Sequence, residues 1–201
     1  MEAAEAEFAQ LGFERASVSG IVGRARVAQG TFYVYFPDKK SIFVELVDSL
    51  GARLRKVLAG AVEGCRDRLS MEREGLRAFL RFTARHRGLY RIVKQAEIVD
   101  EPCYRRYYQT LEEGYVRGLK SAMARGELRR FDPEVAAHCL MGINDMIGLN
   151  FLLWRPGADV DRLVDQVMDF VTHGLGPAAA AGKHPARSVA SGRSGKNGSR
   201  P

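Results

Sequence analysis

Residues Ser17 to Lys39 read SVSGIVGRARVAQGTFYVYFPDK, and the way this stretch divides decides the fold. Ser17 has the side chain of a helix N-cap, and Val18, Ile21, Val22 and Ala25 follow it at the three- and four-residue spacing of one helical face. Arg26, Val27 and Ala28 interrupt that spacing. A second segment, Gln29 to Phe36, can turn Phe32, Tyr35 and Phe36 inward before Pro37 ends it. Two short helices joined across so tight a turn form a helix-turn-helix, the unit whose second helix enters the major groove of DNA.

The residues left outside the inward set are Gln29, Gly30, Thr31, Tyr33 and Val34, where a solvated helical pair would carry Glu and Lys. Gln29 can pair with a base edge, Gly30 permits close approach, Thr31 can reach a phosphate, and Tyr33 offers a ring and a hydroxyl. Ala25 to Lys39, ARVAQGTFYVYFPDK, resembles the DNA-binding signature of the tetracycline-repressor (TetR) family of bacterial transcription regulators. The preceding FAQLGFERASVSGIVGRA is similar to that family's first and second helices, so the likeness covers about the first quarter of the chain. The resemblance implies that Gln29, Gly30 and Tyr33 face bases, while Thr31, Tyr35 and Lys39 lie nearer the DNA backbone. Tyr35 can equally be a core residue. Ser17 and Ser19 are candidate phosphate contacts, although a capping role explains Ser17 better. Two positions depart from the family pattern: Arg26 stands at the turn glycine, and Ala28 where a polar cap is common.

At 201 residues and 46% hydrophobic, the chain can form one ordinary domain or two small ones with a sizeable core. The most apolar run, Cys139 to Trp154, is interrupted by Asn144, Asp145 and Asn150, so no membrane span is expected. Glu2, Glu5 and Glu7 make the start acidic, the opposite of a signal peptide, and a cytoplasmic protein is expected. Cys65, Cys103 and Cys139 lack metal-binding or disulfide spacing and read as buried free thiols. The net charge of +7 owes much to Lys183, Arg187, Arg193, Lys196 and Arg200 near the C-terminus. DNA binding is therefore argued from the motif, with bulk charge as weak support.

The rest of the chain reads as helices. One runs from about Glu2 to Leu11 with Gly12 as its stop, and a long one starts at Asp38 and reaches about Leu58. Others start at Ser70, Leu89, Cys103, Asp132 and Asp159 or Asp161. The expectation is an all-α, TetR-like protein: an N-terminal three-helix reader over 1–50, a helical ligand-binding and dimerisation bundle over 51–176, and a disordered basic tail over 177–201.

Phe79, Tyr90, Tyr107, Leu111 and Trp154 are candidates for an effector pocket, apolar with a few polar handles, although core packing explains most of them. Ile143, Ile147, Phe151, Val167 and Phe170 are candidates for a dimer interface, because one small chain can rarely cover so apolar a run. A four-helix interface of this kind is also what the resemblance implies. Asp145 and Asn144 within that run need partners. Neither a hydrolase motif nor a nucleotide loop occurs, and the pairs Glu134/His138 and Asp169/His173 lack a third metal ligand. No cofactor, metal or catalytic residue is expected. The expected function is a ligand-responsive repressor, binding a palindromic double-stranded operator as a homodimer and released by a small, largely apolar effector of unknown identity. The alternative is a helical-bundle enzyme or small-molecule carrier with a helix-turn-helix-like subdomain.

Overall fold

The structure, a computed structural model, describes residues 1–174 apart from Pro156, and the expected tail over 177–201 lies outside the described residues. Nine α-helices and one π-helical turn form it, with no strand among the described residues. They are α1 (Glu2–Arg15), α2 (Val18–Ala25), α3 (Gln29–Tyr35), α4 (Lys39–Val62), α5 (Arg68–Arg85), α6 (Arg87–Val99), α7 (Glu101–Ala124), α8 (Pro133–Ile147) with the π turn Gly148–Trp154, and α9 (Val160–His173).

Capping side chains fix most of these starts. Ser17 accepts the Gly20 N–H at 3.0 Å, and Asp38 accepts that of Ser41 at 2.7 Å. Asp132 and Asp159 open α8 and α9 in the same way. Asp67, not Ser70, caps α5, and the Ser70 hydroxyl donates back to it. Gly12 does not end α1. It kinks the helix at φ 77°, and a further turn continues to Arg15. The kink leaves the Phe13 N–H without a helical acceptor, and the Gln95 carboxamide of α6 supplies one at 2.5 Å.

One continuous apolar core joins Phe8 of α1, Ile21 and Val22 of α2 and Phe32 of α3 to Phe43, Leu46, Leu50 and Leu54 of α4, and then to Ile92 of α6 and Tyr107 of α7. The stripe on α4 thus begins under the reader and ends in the body of the protein. A second core gathers Leu76 and Leu80 of α5, Leu152 of the π turn and Leu163, Val164, Val167 and Met168 of α9. Ala25, expected inward, is exposed. Cys103 is buried, its thiol pushed up to about 11 chiefly by desolvation, whereas Cys139 is exposed, unlike the buried thiol expected.

Arg26 ends α2 in the left-handed region, at φ 56°, where a side chain costs about 1–2 kcal/mol relative to right-handed backbone. Arg26→Gly is therefore expected to stabilise the protein by about 1 kcal/mol, read as a higher urea midpoint at unchanged slope. An unchanged midpoint would show that the side chain offsets this strain.

Candidate functional site

Helix α3 rests on the core through Phe32, which is 5% exposed, and presents almost everything else to solvent. Tyr33, Val34 and Tyr35 are 52%, 78% and 73% exposed, and Gln29, Gly30 and Thr31 are exposed beside them. Tyr35 is therefore an outward residue, and Phe36 alone shares the inward role with Phe32. Exposed aromatic and aliphatic groups on one short helix are unfavourable in water and suited to contact with sugars, methyl groups and base edges. Ala28 caps α3 without a side-chain bond, as its chemistry requires. Ser17 is spent as a cap, and its hydroxyl lies 3.0 Å from that of Ser19.

Lys39 departs from the phosphate-facing role implied by its place in the motif. Its ammonium donates to the carbonyls of Phe13, Glu14 and Ala16 at 2.7, 3.3 and 3.0 Å, and lies 4.4 Å from the centre of the Phe13 ring. These carbonyls end α1, the negative pole of its dipole, so Lys39 ties the start of α4 to the first helix and positions the reader. Lys39→Ala is expected to cost about 2 kcal/mol, lowering the melting temperature by roughly 4 to 8 °C. An unchanged melting temperature would mean that these bonds contribute nothing.

Behind the reader, α4, α5, α6, α7 and α8 enclose a cavity of about 60 Å³. Four of the candidate effector residues, Phe79, Tyr90, Tyr107 and Leu111, line it, together with Leu54, Met141 and other apolar groups. Trp154 does not belong there: it ends the π turn and is 64% exposed. The polar wall of the cavity centres on Asp145, whose carboxylate accepts the Tyr90 hydroxyl and, at 2.9 Å, the Lys94 ammonium. Tyr90 is pushed up by burial first and by that carboxylate second. Burial pulls Lys94 down, but the bond and charge of Asp145 outweigh it and leave it raised. Tyr90 thus stays neutral and Lys94 charged. Asn144 donates to the Tyr115 hydroxyl at 3.0 Å. Asp145 and Asn144 are therefore satisfied within the chain and anchor α8 to α6 and α7.

The opposite side of α8 is less well covered. Pro133–Trp154 has a mean hydropathy of 1.3 over its most apolar window, of which 17% is buried. A helix of that length and composition could cross a bilayer, but the bonds of Asp145 and Asn144 hold one of its faces to the bundle. Ile143, Ile147 and Phe151 are half-buried, and with Met146, Val167 and Phe170 they border a shallow apolar depression between α8 and α9. Met146 and Phe170 are 54% and 43% exposed.

A short outward-facing helix held by a helix-turn-helix, on an all-helical body with an internal cavity, defines a DNA-binding regulator. The model of bacterial regulatory proteins of the tetR family matches residues 1–46, which hold α1 to α3 and the start of α4. The uncharacterized HTH-type transcriptional regulator YdgC of Bacillus subtilis is 27% identical over 183 residues, covering 88% of this chain and 91% of the relative. Two solved structures share the fold. The fatty acid degradation regulator FadR from Bacillus halodurans is 21% identical with a TM-score of 0.78, covering 87% of this chain and 93% of that one. The transcriptional regulator FadR from Bacillus subtilis in complex with stearoyl-CoA is 20% identical with a TM-score of 0.77, covering 87% and 97%. The family match over the reader and these relatives, which are named as regulators, support a transcriptional regulator of the TetR type.

Proposed function

We propose that the protein is a ligand-responsive repressor that reads a palindromic operator as a homodimer in the cytoplasm, with residues 1–50 as reader and the following helices, to about residue 176, as effector-binding and dimerisation body. The observation that carries the DNA-reading role is the outward face of α3, where Gln29, Gly30, Thr31, Tyr33 and Tyr35 stand together without a charge. Gln29 and Tyr33 address base edges, and Thr31 and Tyr35 the backbone beside them. In this reading Ser19 adds a phosphate contact.

The effector is a largely apolar molecule that enters the space between α4 and α8. The related fold that holds stearoyl-CoA supports an amphiphilic ligand for this chain as well. The present cavity of about 60 Å³ is well below the roughly 300–1,000 Å³ of ordinary ligand pockets, so binding must open it. That opening is what lets a ligand favour one conformation.

Selection of bound duplexes from a random pool tests the reading, with a roughly palindromic consensus as the expected result. Gln29→Ala and Tyr33→Ala are each expected to weaken consensus binding by about 1–3 kcal/mol and to relax base preference within the half-site. If both variants return the same consensus with the same affinity, α3 does not read bases through these side chains.

A further inference from the structure

A groove of about 510 Å³ opens between α4, α5 and α7 and shares Leu58, Gly75, Leu111 and Tyr115 with the inner cavity. Its apolar floor is therefore continuous with the cavity wall. Three cations border it, Arg55, Arg68 and Arg117, against two acids, Glu72 and Glu113. Arg117 and Glu113 pair loosely at 3.8 Å in solvent, and Arg55 has no carboxylate partner among the described residues. Arg68 differs from both. Its side chain is 11% exposed, its guanidinium donates to Glu72, and it lies over the Tyr115 ring at 5.7 Å. Its Nε is the one buried side-chain polar atom without a hydrogen-bond partner among the described residues.

A buried N–H donor without an acceptor is costly in a native protein, and at a groove it marks where a ligand atom would be welcome. Everything around Arg68 holds the fork still. The Arg68 backbone N–H donates to Glu127 at 2.9 Å, Glu72 takes one terminal nitrogen, and Gly118 leaves room for the other, where a Cβ would collide with it. An immobilised guanidinium whose Nε–H is unused is preorganised to receive one oxygen of an anion.

We propose that this groove is the head-group subsite for an amphiphilic monocarboxylate. Arg68 receives the carboxylate, and the apolar chain passes Gly75 and Leu111 into the inner cavity. The proposal rests on the effector-site reading given above and names the ligand class for it. The net single positive charge of the groove matches one negative charge. A nucleotide head carrying several phosphates would meet Glu72 and Glu113 at the same place, with too few cations to offset them.

The test is calorimetric titration of the full chain with dodecanoate, dodecan-1-ol and dodecanoyl-coenzyme A, each below its micelle concentration. Dodecanoate is expected to bind at least about tenfold more tightly than the alcohol, and Arg68→Gln to remove that advantage while leaving the alcohol unchanged. Because Arg68→Gln leaves Glu72 buried without its partner, a second variant guards against misfolding. A Cβ at Gly75 would come no nearer than 3.8 Å to Val62, so Gly75→Leu can fill the neck without moving the backbone. It is expected to abolish the gain in affinity from octanoate to dodecanoate. Equal binding of alcohol and acid would overturn the carboxylate subsite and leave the apolar effector site standing. Tighter binding of dodecanoyl-coenzyme A than of dodecanoate would overturn the monoanion. Failure of all three probes to bind would remove both the subsite and the effector reading beneath it.

Discussion

Phe170→Glu is expected to turn a dimer into a folded monomer. The face formed by Ile143, Met146, Ile147, Phe151, Val167 and Phe170 lies partly open along α8 and α9, at the edge of the second core, to which Val167 belongs and against which Ile143, Ile147 and Phe151 pack. In a two-fold symmetric dimer, two such helices from each chain would close into a four-helix interface, and each side chain would be buried twice per assembly. A glutamate at 170 costs the isolated chain little, because Phe170 is already 43% exposed there. In the dimer it places two carboxylates in an apolar seam. At a few kcal/mol for each buried unpaired charge, the dissociation constant should rise by about three orders of magnitude or more. Light scattering at micromolar concentration should then show a monomer, with an unchanged helical circular dichroism spectrum. Palindrome affinity should fall with it, because the two readers act together only when joined. A variant that stays dimeric would move the interface elsewhere, and a wild-type monomer would remove it.

The reader was legible in the sequence because its determinants are local. Ser17 and Asp38 are caps whose partners lie three residues away, and Phe32 is inward because the spacing from Ile21 and Val22 leaves it no other place. Tyr35 was not settled in the same way. On a helix of seven residues a small rotation decides which aromatic turns inward, and periodicity over two turns does not fix that rotation. Long-range determinants were hidden for a different reason. Lys39 looked like a phosphate ligand because the carbonyls it caps lie more than twenty residues earlier. Trp154 was grouped with the pocket as an aromatic with a polar handle, and composition alone could not show that the π turn Gly148–Trp154 leaves it exposed. The four pocket residues that do line the cavity were found as aromatic and aliphatic groups on long helices. Lys94 and Arg68 were missed because a charged residue on an amphipathic helix reads as solvated until its partner, Asp145 or Glu72, is seen across the bundle.

Operator DNA is expected to weaken effector binding by the same factor by which the effector weakens operator binding, about 5- to 150-fold for a coupling of 1–3 kcal/mol. Two physical connections run from the cavity to the reader. Helix α4 carries Leu54 and Leu58 in the cavity wall and Phe43 beneath the reader, so a tilt at its far end displaces α3. Helix α6 carries Tyr90 and Lys94 in the same wall, and Gln95 beside them holds the Phe13 N–H at the kink of α1. A ligand that parts α6 from α8 at the Asp145 bonds therefore pulls on the first helix of the reader as well. In a dimer the two copies of α3 must sit about 34–36 Å apart to enter successive major grooves, so a shift of a few ångströms misplaces one of them. Gln95→Ala separates the two connections: effector affinity without DNA should be unchanged, because the side chain lies outside the cavity, while the coupling factor should fall toward one. If the factor is unaltered, the signal runs through α4 alone. If an effector binds equally well with and without operator in the wild-type protein, no conformational difference links the two sites, since only a difference in affinity between two states can move the equilibrium between them.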